Sequence, residues 1–248
     1  MRLPFCLVLS MACLGLTRAP LRADPVDQGV FRVYLGGHAV GTETFAYDLK
    51  GDSLVISSHL RRLVSTPSGD DTLDKEVMLV ADSLEYDLRS YQSTQKFQGK
   101  SVRRGVFPRD TTFAVFREIG AKGSGDQLAR PPGHLYIVDP QVFVLFDMMC
   151  RTLQHRVFGT RPIWVLSLGV KDSVISASAT DLGTEEIRWG NRQIQARKLR
   201  LADPATQFIA WVSPAGRMLR LIQPEAGLRV EREPPPARRS SRGPRPGG

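Results

Sequence analysis

Cysteine is scarce in this 248-residue chain: there are three, and Cys6 and Cys13 both fall in the first 16 residues. Cys150 is the only one further along, which excludes an internal disulfide and a cysteine-rich metal site in the main body. Histidine is scarce too. His38, His59, His134 and His155 are scattered, with no second His, Cys or carboxylate at ligand spacing, so no metal is expected. No uninterrupted apolar run reaches the roughly 20 residues of a membrane-spanning helix, so none is expected in the mature chain. The chain also lacks a G-x-S-x-G elbow, H-E-x-x-H, a phosphate loop, G-x-G-x-x-G and a calcium-loop pattern. These absences predict neither cofactor nor catalytic residue.

Charge of one sign is abundant only at the ends. Residues 1–23 read as an export signal: Arg2 is basic, residues 3–16 are apolar but interrupted by Pro4, Ser10 and Gly15, and Ala23 is a small residue for cleavage. Ala12-Cys13 resembles the end of a lipobox, but Ser10 stands where an aliphatic residue is wanted, so cleavage near Ala23 is favoured over lipidation at Cys13. The mature chain is expected in the periplasm or outside the cell. Residues 234–248 hold no apolar residue larger than alanine and are rich in Pro, Gly and Arg, the composition of a disordered tail. The formal net charge is +9, but seven of the 34 Lys and Arg lie in these two ends, leaving 27 against 25 acids in residues 24–233. A nearly neutral body gives no case for specific nucleic-acid binding.

What is present in abundance is alternation. In "VFRVYLG", Phe31, Val33 and Leu35 share one face, and "TETFAYDL" repeats the period with Phe45, Tyr47 and Leu49 after a Gly36-Gly37-His38 turn. About a dozen such segments, parted by Gly, Pro, Asp and Ser, predict one continuous antiparallel sheet. One stretch differs. "DPQVFVLFDMMCRTLQHRVFG" predicts a helix over about 140–158, with Asp139 as N-cap, Pro140 at the first position and Gly159 at the C-terminal end. Val142, Leu145, Phe146, Met149, Leu153 and Val157 recur at helical spacing, with Asp147 and Arg151 as an i, i+4 pair on the polar side. A helix this apolar needs cover on more than one side. The expected fold is therefore mainly β, with a single large curved antiparallel sheet, an incomplete and half-open barrel, wrapped on one central helix.

Candidate site residues follow from that fold. Phe143, Phe146 and Met149 on the helix, with Trp164, Trp189 and Trp211 on strands, could together line an apolar ligand cavity, although for any one of them core packing is the favoured reading. Cys150 sits among Phe146, Met149 and Leu153 as a small buried hydrophobe. A hydrolase assembled from Ser213, Asp203 and His134 would need those residues to converge in three dimensions. In the hairpin "FIAWVSPAGRMLRLI", Ser213 is better explained by the turn, while Trp211, Leu219 and Leu221 are placed towards the helix.

The stretches "FRVYLGGHAVGTETFAYDLKGD", "VDPQVFVLFDMMCRTLQHRVFGTRPIWVLSL" and "WVSPAGRMLRLIQPEAGLRVERE" resemble, in that order, a family of exported bacterial envelope proteins of unknown function. That family is similar to the periplasmic lipoprotein carriers and receptors, whose half-open barrel holds helix in its concave side. The resemblance implies a non-catalytic protein that binds a lipid, a lipoprotein or another apolar ligand in the cell envelope. The alternative is a structural module that recognises an envelope protein without a small ligand.

Overall fold

Nearly every alternating segment becomes strand in the computed structural model, which describes residues 26–235 except 140, 155, 157 and 170. The expected export signal and nearly all of the expected tail lie outside the described residues, as do Pro140, His155 and Val157. The chain forms β1 (Asp27–Leu35), β2 (His38–Lys50), β3 (Ser53–Thr66), β4 (Gly69–Asp82), β5 (Leu88–Phe97), β6 (Lys100–Pro108), β7 (Thr112–Ile119) and β8 (Lys122–Ala129). There follow β9 (Leu135–Val138), α1 (Phe143–Leu153), β10 (Thr160–Leu168), β11 (Asp172–Trp189), β12 (Arg192–Ala202), β13 (Gln207–Val212), β14 (Met218–Gln223) and β15 (Leu228–Arg232).

All fifteen strands belong to one open sheet, in the order β8-β7-β6-β5-β4-β3-β2-β1-β15-β14-β13-β12-β11-β10-β9. Each hairpin adds its strand outward, so the sheet has an N-terminal arm and a C-terminal arm. They join where β1 pairs with β15, in the register Phe31↔Arg232 to Leu35↔Leu228. The sheet is mixed, which corrects the expectation of a wholly antiparallel one: β9 runs parallel to β10, with Leu135 opposite Trp164. The helix explains this. Parallel neighbours need a crossover, and α1 is the crossover between β9 and β10.

The helix is shorter than its pattern predicts, and its start is held differently. Val142 is the N-cap, in extended conformation and without a side-chain capping bond. Asp139 is turned elsewhere. Instead, the Glu43 carboxylate on β2 accepts from the amides of Phe143 (2.7 Å) and Val144 (3.3 Å), satisfying donors that a helix N-terminus leaves open. At the other end Gln154 still donates to Cys150. Gly159, at φ +73°, turns the connection to β10 five residues beyond the C-cap.

Ten of the eleven helical residues are buried, and β2, β9, β13 and β14 pack against α1. Phe31, Ile56, Leu79, Leu145, Leu221 and Val230 are core residues of at most 0% exposure, each contributing about 1.5–3 kcal/mol by removal from water. A second, smaller cluster of Ile187, Ala196, Trp211 and Leu219 lies apart from this core, with Trp189 against it. The β13–β14 register slips between Trp211 and Val212, so that Arg220 faces Trp211 and Met218 faces Val212. Leu219 is the extra residue of that bulge and joins Trp211. The expectation that Trp211 and Leu219 meet the helix is thus corrected, and only Leu221 lies in the main core.

Candidate functional site

Two buried clusters of charge flank α1, and both come from strand residues with the parity of the apolar face. In β1, Asp27 alternates with Phe31 and Val33; in β4, Lys75 alternates with Leu73, Val77 and Leu79; in β15, Arg232 follows Leu228 and Val230. Each is pointed inward by the pleat, and each must find a partner there.

The first cluster centres on Asp147, fully buried on α1 rather than on a solvent-facing polar side. Its Oδ2 accepts from the Tyr47 hydroxyl (2.7 Å) and Arg151 Nε (2.8 Å), and its Oδ1 accepts from the Met218 amide (2.6 Å). Arg151 also binds Asp27, and Arg232 donates to Asp27 Oδ1 at 2.7 Å. Arg151 lies 4.4 Å over the Tyr47 ring. Burial would raise the Asp27 carboxyl, but hydrogen bonds and charge from Arg232 and Arg151 outweigh it and hold it below the usual carboxylate range. Both oxygens of Asp147 and of Asp27 are hydrogen-bonded, Arg232 Nη1 is left without a hydrogen-bond partner among the described residues, and α1 is pinned to β1, β2, β14 and β15 at once.

The second cluster lies toward the start of the helix. Asp139, just after β9, accepts at Oδ2 from Lys75 Nζ (2.5 Å) and the Tyr91 hydroxyl (3.0 Å). Burial pulls the Lys75 ammonium down, against the opposing charge of Asp139. Arg104 on β6 donates from Nη1 to the Leu168 carbonyl (2.9 Å) and from Nη2 to the Gly169 carbonyl (3.0 Å). It thereby ties the N-terminal arm to the β10–β11 turn. Its nearest carboxylates, Asp172 at 3.4 Å and Asp139 at 3.8 Å, make no hydrogen bond with it. Beside these groups opens a polar cleft of about 380 Å³, lined by Lys75, Ser93, Gln95, Arg104, Arg117 and Asp139, with Gln141 at its edge. Arg104 Nε and Gln141 Oε1 are buried atoms without a hydrogen-bond partner among the described residues.

The six apolar candidates do not converge. Phe146 and Met149 line a cavity of only about 50 Å³ with Ile163, Val165, Ala177 and Phe208. Phe143 is buried in the core and Trp164 is half-buried against it, neither on that wall. Trp189 and Trp211 belong to the separate cluster, where Trp189 Nε1 donates to the Arg232 carbonyl at 2.7 Å and Lys198 lies 5.1 Å over the Trp211 ring. Burial pushes the Cys150 thiol well up, so it stays protonated. Ser213, Asp203 and His134 take separate tasks. Ser213 Oγ accepts from the Arg217 amide, Asp203 accepts from the Ala205 and Thr206 amides, and His134 pairs with Asp87 at 3.0 Å.

Cross-strand register also groups residues that linear spacing hides. Glu76 lies opposite His59, and with Asp74 they bring three possible ligand atoms within 4.8 Å of one another. Asp74 is already held by His59 at 3.1 Å and faces Arg61 at 3.5 Å. Lys75, Arg104, Asp139 and Glu43 were missed as site residues. The available signal was a charged residue at the buried parity of a strand, as in "LDKEVMLVA".

No family model matches the chain, and no curated protein matches its sequence. Among solved structures, a DUF1089 family protein from Pseudomonas aeruginosa is similar, with 15% identity over 82% of this chain and 93% of that one, at a TM-score of 0.48.

Proposed function

We propose that the chain is a non-catalytic binding protein of the cell envelope, and that its ligand is a small polar molecule held in the cleft beside Lys75, Arg104 and Arg117. The observation that carries this reading is a cleft of ligand size whose wall holds buried charge bonded only to neutral carbonyls, beside an apolar cavity too small for a ligand; two other clefts, of about 580 and 490 Å³, are larger, so volume alone does not choose it. The polar cleft is about 380 Å³ and the apolar cavity about 50 Å³, whereas ligand pockets span roughly 300–1,000 Å³. An apolar cavity of about 150 Å³ is needed even for benzene. A lipid between helix and sheet, as in the half-open barrels of the lipoprotein carriers, would require α1 to separate from β13, parting Phe146 from Phe208. The cleft offers buried donors and acceptors instead, and needs no such movement.

The test is native mass spectrometry of the chain purified from its native envelope, followed by thermal melting against water-soluble metabolites and against dispersed lipids. A polar adduct, and stabilisation by a metabolite that disappears in Arg117→Ala, is the expected result. An acyl-chain adduct with stabilisation by lipids alone would contradict it. A second reading, docking of an envelope protein, draws on β8: this edge strand is exposed along seven of its eight residues and carries Gly123 and Gly125, the form of an edge that can accept another strand.

A further inference from the structure

Resting on the cleft as the ligand site, we infer that the ligand carries an oxyanion, a carboxylate or a phosphate, and that the guanidinium of Arg104, with Arg117 beside it, receives it. The side chain of Arg104 is 9% exposed, so its charge is largely removed from water. A buried guanidinium needs a hydrogen-bonded counter-charge. Here its two Nη atoms are spent on neutral carbonyls, and its two nearest carboxylates stand at 3.4 and 3.8 Å without hydrogen bonds. Asp139 is occupied by Lys75 and Tyr91.

The remaining lining is biased the same way. Lys75, Arg104 and Arg117 supply three cations against the one carboxylate of Asp139 on the wall, and Ser93 and Gln95 add a hydroxyl and an amide. Asp172, beside Arg104, is shifted upward by burial against the charges of Arg104 and Arg117, with Asp126 and Asp139 acting in the same upward direction. A cationic ligand would meet three like charges. A neutral one would leave the guanidinium as it stands, with hydrogen bonds to neutral carbonyls only, whereas an oxyanion gains a charge-assisted bond.

Isothermal titration of the full chain with inorganic phosphate, succinate, succinamide and glucose tests this, repeated on Gln141→Glu and Ser93→Asp. Neither substitution touches the Arg104 clasp, and each sets a carboxylate in the cleft. The expected result is binding of phosphate or succinate, with the stronger of the two naming the group, weakened at least tenfold in both variants and by added salt. Melting of both variants should be unchanged or raised. Succinamide or glucose binding as tightly as the anions, with both variants unaffected, overturns the oxyanion while leaving the cleft as the site if Arg117→Ala abolishes that binding. No binding of any probe, together with a native ligand that survives Ser93→Asp and Arg117→Ala, overturns both.

Discussion

The two charge clusters that flank α1 are built from the same materials and finished differently. Around Asp147, both carboxylate oxygens are hydrogen-bonded and Asp27 is shared by Arg151 and Arg232, so that each guanidinium has a hydrogen-bonded counter-charge although Arg232 Nη1 itself stands 3.5 Å from Asp147 Oδ1 without a hydrogen bond. Around Asp139, the carboxylate is satisfied but Arg104 is not, and a cleft opens beside it. A closed cluster fixes position. An unfinished one, kept at the same depth, marks where an outside group can enter. A cleft of about 490 Å³ borders Asp27 and Arg232 as well, so what separates the candidate binding site from the helix anchor is that Arg104 donates only to neutral carbonyls, whereas Arg232 donates to a carboxylate.

Breaking the closed cluster should cost most. Asp147→Ala leaves the Tyr47 hydroxyl, Arg151 Nε and the Met218 amide without their acceptor and removes the charge facing Arg232, and should lower stability by about 3–5 kcal/mol in urea denaturation. Glu43, at the helix start between the clusters, comes next. Burial pushes its carboxyl up to about 7 in spite of two amide donors, so the folded state holds a proton that the unfolded chain releases near 4.5. The associated stability is fully present below pH 4.5 and is lost as pH rises through 7, a difference of about 3 kcal/mol. Glu43→Gln keeps an acceptor for the Phe143 and Val144 amides and should flatten that part of the pH–stability curve. Asp27, with its lowered carboxyl, acts with the opposite sign at lower pH and is present in both proteins.

Arg104→Gln should have a smaller effect, about 2 kcal/mol, because it removes the clasp on Leu168 and Gly169 but also removes an incompletely paired buried charge. A loss equal to that of Asp147→Ala would erase the distinction between the clusters. The smallest effect is expected from Ala177→Val, which fills the cavity beside Phe146 and Met149. It should change stability by no more than about 1 kcal/mol, read by thermal melting, and leave anion binding unaltered.

The strands were legible in the sequence because a sheet with one buried face writes its period into the chain, as Phe31-Val33 and Phe45-Tyr47 show. The helix was legible from Leu145, Phe146, Met149 and Leu153, although not its cap, since Glu43 lies about a hundred residues from Phe143 and no local rule connects them. Parallel pairing of β9 with β10 was hidden because a four-residue strand has no signature of direction. Trp211, with Trp189 packed against its cluster, lies away from the helix because regular alternation along β13 sends Phe208, Ala210 and Val212 to the main core and Ile209 and Trp211 to the other face, while the bulge at Leu219 breaks the parity of β14 and brings Leu219 to that face too. The polar cleft was overlooked because charged residues were read as solvent-facing, when Lys75 and Arg232 had the parity of the core throughout.

A crystal structure of the protein purified from its native host, with no ligand added, tests the assignment of the site most directly. Density within hydrogen-bond distance of the Arg104 or Arg117 guanidinium in the cleft, with Phe146 and Phe208 still in contact, is the predicted result. An elongated apolar ligand between Phe146 and Ile163, with the cleft holding only solvent, would contradict it.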